Sequence, residues 1–126
     1  WVFRHYPGAR HPRAEPAARA AECASDQGAF FQFAELTYAT VGDGSSAILT
    51  NQQLQQNAVA IGLDPAAFNA CFVSAEGNAA RVQQDIQSGT VLGVSATPTF
   101  FINDLKIEGY QSADELSKLI NQQIDD

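Results

Sequence analysis

Methionine is absent from all 126 residues, and tryptophan occurs once, at the first position. A primary translation product begins with methionine, so the expectation is that a segment precedes Trp1. Positive charge is scarce: 7 Lys and Arg stand against 14 Asp and Glu, a net charge of −7. That balance argues against nucleic acid or an anionic membrane surface as the main partner. No apolar run approaches the ~20 residues of a membrane-spanning helix, and no basic-then-apolar leader opens the chain. Cysteine is nearly absent too, with only Cys23 and Cys71, and Cys-x-x-Cys occurs nowhere. The chain therefore carries no Cys-x-x-Cys redox motif of its own, and no catalytic residue is assigned on that motif. His5 and His11 have neither a helical i, i+4 partner nor a nearby cysteine, so no metal site is expected.

What is present suffices for one domain. With 45% apolar residues, a chain of this length can bury roughly two thirds of its unfolded surface without a dense disulfide framework. The charge is unevenly spread. Arg4, Arg10, Arg13 and Arg19 share the first twenty positions with Glu15 alone, which makes a basic corner in an acidic protein. Nothing in the pattern names its ligand. The segment Gly42-Asp43-Gly44-Ser45-Ser46 lacks the Gly-Lys-Ser/Thr ending of a phosphate-binding loop and the Gly-x-Ser-x-Gly of a nucleophile elbow, so it reads as a loop. Glu22, Asp26 and Glu35 read as a solvated helix face.

Along the chain, residues 1–6 read as a strand stopped by Pro7-Gly8. An alanine-rich helix follows from Glu15, with Pro16 tolerated in its first turn and Gly28 ending it. Phe30, Phe33, Leu36 and Thr37 share one face of a second helix. Thr50 offers an N-cap for a third, which stops at Gly62. Asp64-Pro65 repeats the start signal for a fourth, carrying Phe68, Cys71 and Phe72. Residues 78–88 continue helical, with Ala79, Val82 and Ile86 on one face and Gly89 as the C-cap. Residues 97–102 are a strand entered through proline, Asn103-Asp104 a tight turn, and residues 105–110 the second arm of a hairpin. Ser112 caps a last helix striped by Leu116, Leu119, Ile120 and Ile124. The order is β, several helices, ββ, α, with no internal repeat and no low-complexity segment.

Proline at the head of an apolar strand marks an edge, a strand start or a cis bond. Its setting decides among these. Gly93-Val94-Ser95-Ala96-Thr97-Pro98-Thr99-Phe100-Phe101-Ile102-Asn103 resembles the GVxGTPTFFING segment of DsbA-type thiol-disulfide oxidoreductases. Val2-Phe3-Arg4-His5-Tyr6-Pro7 with His11-Pro12 is similar to the family's strand. The run Ala20-Ala21-Glu22-Cys23-Ala24 to Gln27-Gly28, followed by Phe30-Phe31, is similar to its first inserted helix. Gly62-Leu63-Asp64 with Phe68-Asn69-Ala70-Cys71, and Asp85 through Gly89 to Gly93-Val94, resemble its later helices. Nearly the whole chain is covered in order and spacing.

The resemblance implies an α/β, thioredoxin-like sheet with an inserted helical domain. The strand would occupy residues 1–7, the helical insertion and lead-in helix 13–92, and the proline strand, hairpin and C-terminal helix 97–126. Pro98 would be cis, and Ala96, Thr97 and Pro98 would bind substrate, with Thr97 presenting its backbone to an extended peptide. The implied partners are unfolded or cysteine-containing protein substrates and a redox partner protein, in an extracytoplasmic setting, with no cofactor.

The family's CxxC lies upstream of the segment resembling residues 1–6, so the first strand and the CxxC helix are missing here. Without them the strands at residues 1–6 and 99–102 would each have an unpaired inner edge. The remedies are a missing piece in the parent protein, a strand-swapped homodimer, or pairing of the first strand elsewhere. For Cys23 and Cys71 three readings stand: two buried thiols, a structural disulfide, or a redox-active pair. The extracytoplasmic setting that the resemblance implies favours the structural disulfide. The competing function is a redox-inactive thioredoxin-fold module that holds peptides through the same proline loop.

Overall fold

A computed structural model describes the backbone of residues 1–125 and the side chains of all of these but 75–77. Six helices and one hairpin follow one another: α1 (Ala14–Ser25), α2 (Phe30–Val41), α3 (Asn51–Ala60), α4 (Pro65–Val73), α5 (Ala75–Val91), β1 (Thr99–Ile102), β2 (Leu105–Glu108) and α6 (Ala113–Asp125). A single 3-10 turn at Ser46–Ile48 precedes α3. The chain forms two compact units, Trp1–Gln87 and Ser88–Asp126.

The helices of the first unit begin and end where local chemistry dictates. Thr50 Oγ1 accepts the N–H of Gln53 at 3.1 Å and starts α3. Asp64 Oδ1 accepts the N–H of Ala66 at 3.0 Å, with Pro65 at the first helical position of α4. Both side chains satisfy amide donors that a helix start leaves without partners. Gly28 and Gly62, with φ of 75° and 82°, follow α1 and α3, where a left-handed residue closes the last turn at no steric cost.

The alanines of α1 give it a thin wall. Ala20, Ala21 and Ala24 are buried with Cys23 against Phe33 of α2, Leu49 and Leu54, Ala58 of α3, and Phe68 and Phe72 of α4. The Phe33 and Phe68 ring centroids lie 5.8 Å apart, as do those of Phe68 and Phe72. Thr37, on the face expected from the α2 pattern, is buried and accepts from Asn57 Nδ2.

Residues 1–7 do not form the strand expected from their aromatic and β-branched content. A strand exists only through a ladder partner, and here carboxylates on two helices take that place. The His5 N–H donates to Asp85 Oδ2 of α5 at 2.9 Å, and Arg4 Nη1 lies 3.3 Å from Asp85 Oδ1. His5 Nε2 meets Glu22 Oε1 of α1 at 2.8 Å. The Phe3 and His5 rings stand 5.1 and 5.7 Å from that of Phe30.

α5 does not end at Gly89 either. Gly89 lies inside the helix, which runs on to Val91, and Gly93 makes the stop. With φ of 72°, Gly93 donates to the Thr90 carbonyl at 3.1 Å and lets Val94 N–H reach the Gly89 carbonyl at 2.9 Å. This paired closure satisfies carbonyls that would otherwise be left open.

In the second unit β1 pairs antiparallel with β2, Phe100 opposite Ile107 and Ile102 opposite Leu105. Asn103, at φ 52°, takes the left-handed turn position. Ser112 and Glu115 cap α6 reciprocally. Glu115 Oε2 accepts the Ser112 N–H at 2.8 Å and Ser112 Oγ accepts the Glu115 N–H at 3.2 Å, a capping box. These bonds to Ser112 hold the Glu115 carboxyl below its ordinary range.

Candidate functional site

The proline loop hangs between the end of α5 and the start of β1, and three of its carbonyls are tied. Lys106 Nζ donates to the Gly93 carbonyl at 2.6 Å, Thr99 Oγ1 to that of Ala96 at 2.6 Å, and the Gly109 N–H to that of Pro98 at 2.8 Å. Lys106 also pairs with Glu108 at 2.9 Å. The hydrogen bond and charge of Lys106 hold the Glu108 carboxyl below its usual range, with a smaller contribution from Ser95.

Between these fixed points lies Thr97. The Thr97–Pro98 peptide is cis, and residues 95–98 are exposed. Among the described residues nothing hydrogen-bonds the backbone N–H or carbonyl of Thr97. The arrangement anchors the loop on both flanks and leaves the backbone N–H and carbonyl of Thr97 open, groups of the kind that an extended chain can pair with. Ala96, Thr97 and Pro98 are thus adjacent and accessible.

The cysteines occupy a different place. Cys23 of α1 and Cys71 of α4 form a disulfide; Cys23 is buried and Cys71 half-buried. Asn78, itself buried, donates from Nδ2 to the Cys71 carbonyl at 2.8 Å and to Cys23 Sγ at 3.3 Å. Arg19 Nε donates to Asn78 Oδ1 at 3.0 Å and Nη2 to the Phe72 carbonyl at 2.9 Å. The bridge is built into the packing of α1, α4 and α5.

Beside it runs a cluster that sequence reasoning took for a solvated face. Glu22 of α1 and Asp26, the residue that follows its last turn, both grip Arg81 of α5: Arg81 bonds Asp26 through both terminal nitrogens, at 2.9 and 3.1 Å, and Glu22 Oε2 lies 3.2 Å away. The hydrogen bonds to Asp26 hold the guanidinium charged beyond its ordinary tendency, against a smaller opposing effect of burial. The i, i+4 spacing of Glu22 and Asp26 was the available signal. Their partner's place was not readable.

Among the described residues no group of three His, Cys, Asp or Glu could hold a metal ion. None of the described helices is long and apolar enough to cross a membrane.

The fold is thioredoxin-like. It is shared with the crystal structure of a thioredoxin-like oxidoreductase from Silicibacter pomeroyi DSS-3, at a TM-score of 0.76 and 21% identity, over 99% of this chain and 68% of that one. Residues 1–122 match the family described as Thioredoxin, and the chain belongs to that family. Segments of longer proteins are also similar. The Na(+)/H(+) antiporter NhaA 1 of Mycobacterium sp. (strain KMS) is 37% identical over 122 residues, covering 95% of this chain and 19% of the antiporter. That of Salinispora arenicola (strain CNS-205) is 35% identical over 121 residues, covering 95% and 18%. The chain thus spans about a fifth of the length of the curated relatives it matches.

Proposed function

We propose that this chain is the substrate-holding part of a DsbA-type thiol-disulfide oxidoreductase acting on extracytoplasmic proteins. The observation that carries the reading is the open backbone N–H and carbonyl of Thr97, exposed between tied carbonyls at the head of β1. An extended substrate segment pairs with that N–H and carbonyl as an added strand, which places a neighbouring substrate cysteine beside Pro98. The thiolate that reacts there is not one of the chain's own, since Cys23 and Cys71 are joined to each other within the helical unit. The reading requires a Cys-x-x-Cys, which these 126 residues do not contain. Its sulfur attacks a substrate disulfide, forming a mixed disulfide and releasing the other substrate sulfur as thiolate; the reverse order oxidises a substrate dithiol. The antiporters that contain a similar segment support a setting in which such a module is carried by a larger protein.

The test is peptide binding by the protein in its full natural length. An extended cysteine-containing peptide binds, and the same peptide N-methylated at the position facing Thr97 binds about tenfold more weakly, as expected for a lost backbone hydrogen bond in a desolvated contact. Equal affinity of the two peptides overturns the reading. A second reading is a redox-inactive module that holds peptides through the same exposed proline loop. Insulin-disulfide reduction by the full-length protein separates the two. The first requires turnover that survives replacement of both Cys23 and Cys71 by serine, and the second requires none.

A further inference from the structure

The basic corner near the N-terminus has no part in the proline loop or the disulfide. Its arginines fall into two groups. Arg4 pairs with Asp85, Arg19 with Glu15 and Arg81 with Asp26 and Glu22. Arg10 and Arg13, by contrast, have no carboxylate partner among the described residues. Both line the same half-open cavity of about 430 Å³.

Its two walls come from residues 10–13 and 44–47. Arg10, His11 and Arg13 stand on one wall, Ser45 and Ser46 on the other, and no Asp or Glu lines it. In a chain with twice as many acidic as basic residues, a concave space lined only by cationic and neutral groups is a local reversal of sign.

The walls are fastened to each other. Arg13 Nε donates to the Leu49 carbonyl at 2.6 Å and Nη2 to Asn51 Oδ1 at 2.5 Å, which clamps the start of α1 to the segment leading into α3. Both acceptors are neutral, so the guanidinium charge stays uncompensated. On the opposite wall Ser45 Oγ accepts the Ala47 N–H at 3.2 Å and keeps its own proton to donate. Among the described residues the side chains of Arg10, His11 and Ser46 have no hydrogen-bond partner. The cavity therefore combines a fixed cation, a second guanidinium free to turn inward, an imidazole and two hydroxyl donors.

We infer that this cavity binds a phosphate group. Guanidinium forks match the spacing of phosphate oxygens and form charge-assisted bonds to them, and hydroxyl donors on the facing wall reach oxygens that the arginines leave open. The volume lies in the range of small-molecule sites, well above that of a bare phosphate. The ligand is therefore a phosphate ester, either a free one or the headgroup of a phospholipid.

The experiment uses the whole chain and four probes: inorganic phosphate, glycerol 3-phosphate, vesicles of phosphatidylglycerol mixed equally with phosphatidylcholine, and vesicles of phosphatidylcholine alone. Glycerol 3-phosphate is expected to move the amide resonances of residues 10–13 and 44–47 at lower concentration than inorganic phosphate does. Arg10→Gln is expected to weaken the binding about tenfold, the effect of losing one charge-assisted contact, with thermal stability unchanged because that side chain holds nothing else. Binding of the soluble ester without retention on the mixed vesicles assigns a free ester. Retention on the mixed vesicles alone, lost in Arg10→Gln and absent with pure phosphatidylcholine, assigns a headgroup. The inference is overturned if no probe binds, if the responses map away from both walls, or if binding is unchanged in both Arg10→Gln and His11→Gln.

Discussion

Within residues 1–87 the large apolar side chains close on one another: Phe33, Leu54, Phe68 and Val82 are completely buried, and a disulfide crosses the same packing. Residues 88–125 have no buried member at all, although Phe100, Phe101, Ile102, Ile107, Leu116 and Leu119 are all there. What orders the second unit is local. A glycine closes a helix, a lysine and a threonine tie loop carbonyls, and a serine and a glutamate cap α6. One region gains stability from contacts between distant residues, and the other holds its shape by short-range hydrogen bonds. The accessible backbone of Thr97 belongs to the second kind. A loop proposed to accept a strand has to stay outside a core.

The contrast can be broken most severely at the centre of the first core. Phe33→Ala removes a ring that touches Phe68 and is expected to cost about 3–5 kcal/mol in urea unfolding, with hydrogen exchange of residues 99–108 unchanged. Opening the disulfide comes next. Replacing Cys23 and Cys71 by serine frees a loop of about 50 residues and is expected to cost roughly 4 kcal/mol in the chain-entropy picture. The loss again shows in α1 and α4 and not in the hairpin. If either change exposed β1 and β2 amides equally, the two regions would be one cooperative unit.

A smaller change sharpens the other side. Ser112→Ala deletes half of the capping box and is expected to weaken α6 by about 1 kcal/mol, read as faster exchange in the first turn of α6 while α1 to α4 keep their protection. The smallest effect is in pH. Glu108 and Glu115 both have carboxyls held below the ordinary value of 4.5. Their contribution is complete above that value and is lost as pH falls through and below it. Exchange in the hairpin and α6 should accelerate on acidification from pH 5 to pH 3, and Glu115→Gln should flatten the part arising in α6.

The same contrast explains which features could be read from the sequence. The starts of α3 and α4 and the stops at Gly28 and Gly62 were legible because cap and capped group lie within a few residues. So was the hairpin turn at Asn103. The strand expected at residues 1–6 was not, because strand formation depends on a distant partner, and Asp85 supplied the acceptor instead. Gly89 misled because a glycine inside a helix costs only about 1 kcal/mol, whereas Gly93 is needed for the left-handed stop. Arg81 joins Asp26 from 55 residues away and Glu22 from further still, beyond any local pattern. The proline loop was found through its resemblance to a family, not through periodicity. That loop and its exposed backbone remain the centre of the functional account.

Amide exchange at Thr97 tests this most directly, measured on the full-length protein with and without an extended cysteine-containing peptide. The Thr97 N–H, open in the free protein, is expected to slow about tenfold or more when the peptide is bound, while the amides around Cys23 and Cys71 keep their rates. Saturating peptide that leaves Thr97 unprotected would contradict it.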